Sequence, residues 1–301
     1  MKDLRIGTRG SPLAMAQTRE VRRLLAAATG KPEDAFEIVV IKTTGDAIQD
    51  RPLSEAGGKG LFTKEIDAAM LAGEIDVAVH SSKDLPTALP EGIIAAGYLP
   101  REDARDALVA HGGKSFADLP LGARLGTASL RRKAQALRLR SDLQVGLLRG
   151  NVGTRLGKAE SGEIDATILA YAGLKRLGFA ARATAVLDPA LFLPAVGQGA
   201  IGLTARPDDS MSLSVLKLIC DEATGYALAV ERAFLAALDG SCRTPIAGHA
   251  QIFGGRFTFR GHVLREDGGE IWETIAEGDV PEGAALGARA GEGLLKRLPR
   301  G

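Results

Sequence analysis

The chain has 301 residues, more than one hydrophobic core ordinarily serves, so two or three domains are expected. With 45% hydrophobic and 25% charged residues it falls outside the disordered, collagen-like and coiled-coil compositions, and no apolar run reaches the length of a membrane span. Thirty-eight Lys and Arg against 37 Asp and Glu leave a formal charge of +1, which with only 4% aromatic residues disfavours a nucleic-acid-binding surface.

The first hundred residues alternate between strand and helix patterns. Met1-Lys2-Asp3-Leu4-Arg5 runs straight into a strand at 4–8 instead of a signal-peptide apolar core, so a cytoplasmic protein is expected. Ser11-Pro12 opens a helix to about Ala28, with proline in its tolerated first turn, and Phe36 to Lys42 is a β-branched strand. The polar stretch 46–60, with Pro52 and Gly57-Gly58-Lys59-Gly60, reads as a lid loop before a helix from Phe62 to Leu71. Strands follow at 76–80 and 93–98.

Charged and proline-started, Pro100 to Asp106 looks like a crossing into a second domain. There Arg124 to Gly126 leads into a helix at Ser129. Gln144 to Leu148 is a strand turning at Gly150-Asn151 into a helix, and Ala166 to Ala170 is a strand before another helix. Leu193 to Gly199 reads as the return crossing, which makes the first two domains a two-lobed clamp. A long helix from Asp221 to Leu238, ending at Gly240, precedes strands at 247–253, 257–264 and 270–277 and a last helix at 282–298. Strands set apart from helices indicate a small α+β domain.

Several familiar chemistries are missing. Lys59 lacks the spacing of a phosphate-binding P-loop, no G-x-G-x-x-G follows the first strand, and neither H-E-x-x-H nor G-x-S-x-G occurs. Two cysteines, Cys220 and Cys242, and four histidines form no disulfide framework and no zinc set, so no metal is expected. What remains is a series of strand-to-helix turns rich in cations and hydroxyls: Arg9-Gly10-Ser11, His80-Ser81-Ser82-Lys83-Asp84, Thr127-Ala128-Ser129-Leu130-Arg131-Arg132, Arg149-Gly150-Asn151-Val152-Gly153-Thr154-Arg155, and Lys175-Arg176. Twenty-six of the 38 cations are arginine, whose forked donors match carboxylate or phosphate oxygens in pairs. Any one arginine alone is better explained by a solvated helix face or a surface ion pair; the series at matching turns points to a multiply anionic small molecule. Asp84 reads either as a helix cap or an ion pair with its neighbour Lys83, or as a carboxylate among arginines that stabilises a cation on a bound substrate. Cys242, in Gly240-Ser241-Cys242-Arg243, is either inert or a thiolate favoured by its arginine neighbour; Cys220, in an apolar stretch, reads as packing.

Taken in order, these segments resemble the porphobilinogen deaminase (hydroxymethylbilane synthase) family over nearly the whole chain. The resemblance rests on Arg9-x-Ser11-x-Leu13-Ala14-x-x-Gln17, His80-Ser81-x-Lys83-Asp84-Leu85-Pro86-Thr87, Pro100-Arg101-Glu102-Asp103, Ser129-Leu130-Arg131-Arg132, Leu148 to Leu156, Ala172 to Leu177, Leu193 to Gly199, and Glu231-Arg232-Ala233-Phe234-Leu235. Local departures are Ser82, where the family often has methionine, Ala128 in place of a frequent serine, and Ser241, where glycine often precedes the cysteine.

The resemblance implies three domains: 1–99 with 198–217, 100–197, and 218–301. The first two would be α/β, similar to two-lobed periplasmic binding proteins, and the third a small α+β domain. It further implies a transferase of tetrapyrrole and heme biosynthesis. Four porphobilinogen molecules are joined head to tail on a dipyrromethane cofactor, one ammonia leaving at each step, and hydrolysis then frees hydroxymethylbilane. The cofactor is expected as a thioether on Cys242, contacted by Lys83, Thr127, Ser129, Arg131, Arg132, Asn151, Arg155 and Gln198. Arg9, Ser11, Arg149, Arg155, Arg176 and Lys59 are expected on the substrate and the growing oligopyrrole chain, and Asp84 is the catalytic carboxylate. The family also implies a monomer. The alternative is a two-lobed protein that binds a small anion without catalysis.

Overall fold

A computed structural model describes residues 4–47, 60–238 and 244–299. In chain order the elements are β1 (Leu4–Arg9), α1 (Pro12–Thr29), β2 (Phe36–Ile41), α2 (Thr44–Ala47), α3 (Lys64–Leu71), β3 (Val77–Ser81), β4 (Ile94–Tyr98), β5 (Asp106–Ala110), β6 (Arg124–Gly126) and α4 (Leu130–Leu139). There follow β7 (Gln144–Gly146), α5 (Val152–Glu160), β8 (Ala166–Ala170), α6 (Tyr171–Arg176), β9 (Ala185–Val186), β10 (Ile201–Ala205), α7 (Ser210–Lys217), α8 (Glu222–Ala237), β11 (Ile246–Phe253), β12 (Arg256–Leu264), β13 (Ile271–Asp279) and α9 (Gly283–Leu295). The chain divides into two compact units, Met1–Glu102 with Ala200–Gly225, and Asp103–Gly199 with Tyr226–Gly301.

The first unit is built on a sheet of order β2-β1-β3-β10-β4, with β2, β1 and β3 parallel and β10 antiparallel to both of its neighbours. Because successive strand residues face opposite ways, Leu4 and Ile6 reach one core with Val21 and Leu25 of α1 and Leu216 of α7. A second core gathers Ile66 and Met70 of α3 against Ile75 and Ala78. Helix α1 starts where the sequence predicts: Ser11 accepts a hydrogen bond from the Ala14 N–H, Pro12 follows, and Gly30 closes the helix in the left-handed region. Cys220 sits in this unit against the backbone of Gly97, and burial pushes its thiol pKa up, as expected of a packing residue.

The second unit carries a sheet of order β7-β6-β8-β5-β9, in which β7, β6 and β8 are parallel and β5 is antiparallel, and a separate antiparallel sheet β11-β12-β13. The small sheet packs Phe257, Phe259 and Val263 against Val230 and Phe234 of α8 and Leu294 of α9. Burying each such side chain contributes about 1.5–3 kcal/mol. Helix α9 lies so close to α8 that a Cβ on Gly287 would meet the Val230 carbonyl oxygen at 2.3 Å, and one on Gly291 the Phe234 carbonyl oxygen at 2.7 Å.

Two differences from the sequence reading bear on function. Strand β5 begins at Asp106, inside the segment read as a crossing, so that a charged residue starts a fully buried strand. Strand β10 and helix α7, after the return segment, were not apparent as elements; β10 lies between β3 and β4, strands more than a hundred residues earlier. Most of the expected lid, 48–59, lies outside the described residues, as do Lys59, Ser241 and Cys242.

Candidate active site

In each parallel set the carboxyl ends of neighbouring strands lie side by side, and there the sequence places its cations and hydroxyls. In the first unit, β1 ends in Arg9, β2 leads to Thr43 and Asp46, and β3 leads through a single 3-10 turn, Ser82–Asp84, to the Asp84 carboxylate. Arg9 brings the three strand ends together. Its Nε donates to Asp46 Oδ2 at 3.1 Å and its Nη2 to Asp46 Oδ1, while Nη1 lies 3.8 Å from Asp84 Oδ2. The same guanidinium stacks 3.9 Å above the Phe62 ring, and Thr43 Oγ1 donates to Asp46 Oδ2 at 2.8 Å. Burial works against the Asp46 charge, but hydrogen bonds from Arg9 and Thr43 outweigh it and hold the carboxyl below its ordinary pKa.

Asp84 keeps 32% of its side chain exposed, and neighbouring Lys83 is exposed. Beneath them His80 is buried, its Nε2 3.2 Å from Thr204 Oγ1; burial and nearby Arg9 bring its pKa down to about 4, so the imidazole is neutral. Ser82 is buried as well, and its hydroxyl has no hydrogen-bond partner among the described residues. Ser11 is engaged as the cap of α1.

In the second unit, Thr127, Ser129 and Asn151 sit at strand-to-helix turns. Thr127 Oγ1 accepts from the Ser129 N–H at 3.1 Å, Ser129 caps α4 by accepting from the Arg132 N–H, and Asn151 caps α5 by accepting from the Thr154 N–H at 2.9 Å. Gly150 has φ +115, a conformation that L side chains rarely adopt, and a Cβ there would meet Thr154 Cγ2 at 2.9 Å; this sharp turn separates Arg149 from Asn151. Arg155 Nε donates back to the Gly150 carbonyl at 2.7 Å, and Arg176 Nη1 donates to the Gly199 carbonyl at 3.1 Å.

Arg131 and Arg132 occupy a different environment. Both are buried on Asp106, which is fully enclosed: Arg131 Nη1 lies 2.7 Å from Oδ2, and Arg132 donates to Oδ1 from Nη2 at 2.8 Å and Nε at 3.0 Å. Gln198 completes the cluster, donating from Nε2 to Asp106 Oδ1 at 3.0 Å and to the Ala104 carbonyl at 2.8 Å. Burial alone would raise the Asp106 pKa, but the two guanidiniums overcome it and hold the group at about 2. Arg131 Nη1 also donates to the Leu193 carbonyl, so the return segment is tied to α4.

Of the residues singled out from the sequence, the structure brings Arg9 and Asp84 side by side and places Thr127, Ser129 and Asn151 at the turns of the second unit. The sequence reading missed Asp46, Phe62 and Asp106, which orient the arginines. Asp106 offered one signal, an acidic residue directly ahead of the apolar run Ala107-Leu108-Val109-Ala110.

The donors at these turns suit a molecule with several carboxylates. Comparison with known proteins identifies the family. Residues 4–214 match the family model described as "Porphobilinogen deaminase, dipyromethane cofactor binding domain", and residues 226–296 the model "Porphobilinogen deaminase, C-terminal domain". A curated porphobilinogen deaminase of Nitrobacter winogradskyi is 56% identical over 292 residues, 97% of this chain and 92% of the relative. That of Paracoccus denitrificans is 53% identical over 296 residues, 98% and 95% respectively. Among solved structures, a YaeC-family lipoprotein from Enterococcus faecalis aligns with a TM-score of 0.42 at 14% identity, over 77% of this chain and 97% of that one.

Proposed function

Because the chain belongs to the porphobilinogen deaminase family, we infer that it is the transferase that condenses four porphobilinogen molecules head to tail on a dipyrromethane cofactor. Ammonia leaves at each condensation, and hydroxymethylbilane is released by hydrolysis. The observation that carries this reading is family identity along almost the whole chain, joined to arginine-bearing turns at the carboxyl ends of two parallel strand sets. A small-anion binding protein without catalysis is not favoured by this relationship.

Each pyrrole ring of substrate and product carries an acetate and a propionate, so every condensation adds two negative charges. Arginine answers this with paired donors that keep their charge. In the second unit, Arg131, Arg132, Arg149, Arg155 and Arg176, with Thr127, Ser129, Asn151 and Gln198, form the donor set we assign to these carboxylates. The deep seats of Arg131 and Arg132 on Asp106 support a preorganised role: their guanidiniums are fixed before any ligand arrives. Arg176 and Arg155 each donate to a backbone carbonyl, which supports their role in setting how the turns present donors. Such a cationic set fits a cofactor with acidic side chains on both rings. When bound through Cys242, that group supplies the nucleophilic pyrrole carbon to which each new unit is joined.

In the first unit we assign Asp84 to the reacting centre. When ammonia departs, positive charge develops on the substrate pyrrole, and a partly exposed carboxylate beside Arg9 can accept from a pyrrole N–H and stabilise that charge. Arg9 and Ser11 face the substrate's acidic side chains in this scheme, with Lys83 and Lys59 as further anion contacts. The division into domains 1–99 with 198–217, 100–197 and 218–301 remains our proposal; the separate family model at 226–296 and the separate three-stranded sheet support it. We further propose a cytoplasmic monomer. No described helix is long and apolar enough to cross a membrane.

Intact-mass spectrometry before and after addition of porphobilinogen tests the reading. The expected result is a chain heavier than its sequence by a dipyrromethane, gaining mass in steps of one pyrrole unit. A chain of sequence mass that porphobilinogen leaves unchanged would overturn it.

A further inference from the structure

Within the second unit, the end of α4 and the outer face of the small sheet line a pocket of about 140 Å³ that is open to solvent on one side. Its polar wall holds Arg138 at the end of α4, Arg260 and His262 on β12, and Gln135. Leu139, Leu191, Leu264 and Ile271 make the apolar wall. Gln135 is rigid because its amide both accepts from the Leu193 N–H at 2.7 Å and donates to the Leu193 carbonyl at 3.1 Å. The turn at Gly268 presses on the backbone of α4 at Ala134 and Arg138.

The charges do not cancel in this pocket. Arg260 faces Glu273, another lining residue, at 3.6 Å, whereas Arg138 makes no ion pair with a described residue. His262 is only 4% exposed, and its Nε2 has no hydrogen-bond partner among the described residues. A buried polar atom without a partner costs about 1–3 kcal/mol, so it marks a place where a ligand group gains by arriving. Burial, with Arg131, Arg260 and Arg138 nearby, brings the His262 pKa down to about 3, and the ring is therefore a neutral hydrogen-bonding group in a positive field.

We propose that this pocket binds a small monocarboxylate whose apolar body is about the size of a benzene ring, its carboxylate on Arg138 and Arg260 and its ring against the leucines. The volume sets the size, since a cavity of about 150 Å³ accommodates benzene. One uncompensated guanidinium sets the charge: a dianion such as phosphate would meet Glu273 and would leave the apolar wall wet. The site shares no residue with the donor set assigned to the pyrrole carboxylates, and its occupancy is measured without turnover.

Benzoate titrated into the purified full-length chain, with histidine labelled selectively in 13C, reads the site through four imidazole signals, one of them His262. The expected result is a saturable shift of the His262 signal, weakened about tenfold or more by Arg138→Gln, with benzyl alcohol binding far more weakly than benzoate. Arg138 is exposed at a helix end, so that variant keeps its fold. A His262 signal that benzoate leaves unmoved, binding that Arg138→Gln leaves unchanged, or equal binding of benzyl alcohol would each overturn the proposal.

Discussion

Arg132 is anchored to a single oxygen of Asp106, donating to Oδ1 from both Nε, at 3.0 Å, and Nη2, at 2.8 Å, while Arg131 takes the other oxygen. One buried carboxylate thus orients two neighbouring guanidiniums. Asp106→Ala is expected to lower stability by about 3–5 kcal/mol, because it strands buried positive charge, and urea unfolding measures the loss. A double-mutant cycle with Arg132→Ala separates the pair from general damage; a coupling below about 0.5 kcal/mol would mean the two residues act independently.

Asp84 should behave in the opposite way. It is partly exposed and lies 3.8 Å from Arg9 Nη1, so Asp84→Asn should alter stability by less than about 1 kcal/mol. Turnover should nonetheless fall by about 10² to 10³, with the bound cofactor still present by mass. Near-normal product formation would remove Asp84 from the chemistry.

Two buried histidines govern the first response to acid. Both His80 and His262 have folded-state pKa values below the ordinary 6.5, at about 4 and about 3, so the unfolded chain takes up their protons first. Stability is therefore complete above about pH 6.5 and declines as pH falls, by about 1.4 kcal/mol per pH unit for each histidine, until its folded pKa is reached. Asp106, depressed to about 2 from 3.8, adds its loss only between about pH 4 and pH 2. Urea midpoints measured from about pH 7.5 to pH 5 should show the decline, and His262→Gln should flatten part of it. A midpoint that is level across that range would contradict the neutral, buried state of both rings.

Thiol chemistry separates the two cysteines. Cys220 packs on Gly97 with its pKa raised by burial, so it should react slowly with alkylating reagents in the folded chain. If Cys242 carries the cofactor as a thioether, the unfolded holoprotein exposes one reactive thiol, and Cys242→Ser exposes one as well but lacks the added mass. Two free thiols in unfolded, active enzyme would place the cofactor elsewhere.

Local signals made much of this legible in advance. Ser11, Ser129 and Asn151 cap helices because a short polar side chain next to an amphipathic run can satisfy its first N–H groups, a relationship contained within four residues. The strand at 166–170 and the three C-terminal strands are visible because short runs of β-branched and apolar residues between turn residues mark them locally. Asp106 is harder to read, because its partners lie 26 and 92 residues away, at Arg132 and Gln198; the apolar run after it hints at burial but does not say which cations meet it. Asp46 was read only as loop, since its hydrogen bond to Arg9 spans 37 residues. The strand β10 depended on topology: it gains partners only when inserted between β3 and β4.

The backbone proximity of α9 and α8 has a cost that falls on the last helix. Gly283, Gly287, Gly291 and Gly293 each forfeit about 1 kcal/mol of intrinsic helicity relative to alanine, so this segment has little tendency to coil by itself. Its order is borrowed from the ridge formed by Val230 and Phe234, onto which only a side-chain-free stripe can settle. The terminal segment therefore acts as a dependent clasp, ordered by its docking on β13 and α8 and expected to loosen when either gives way.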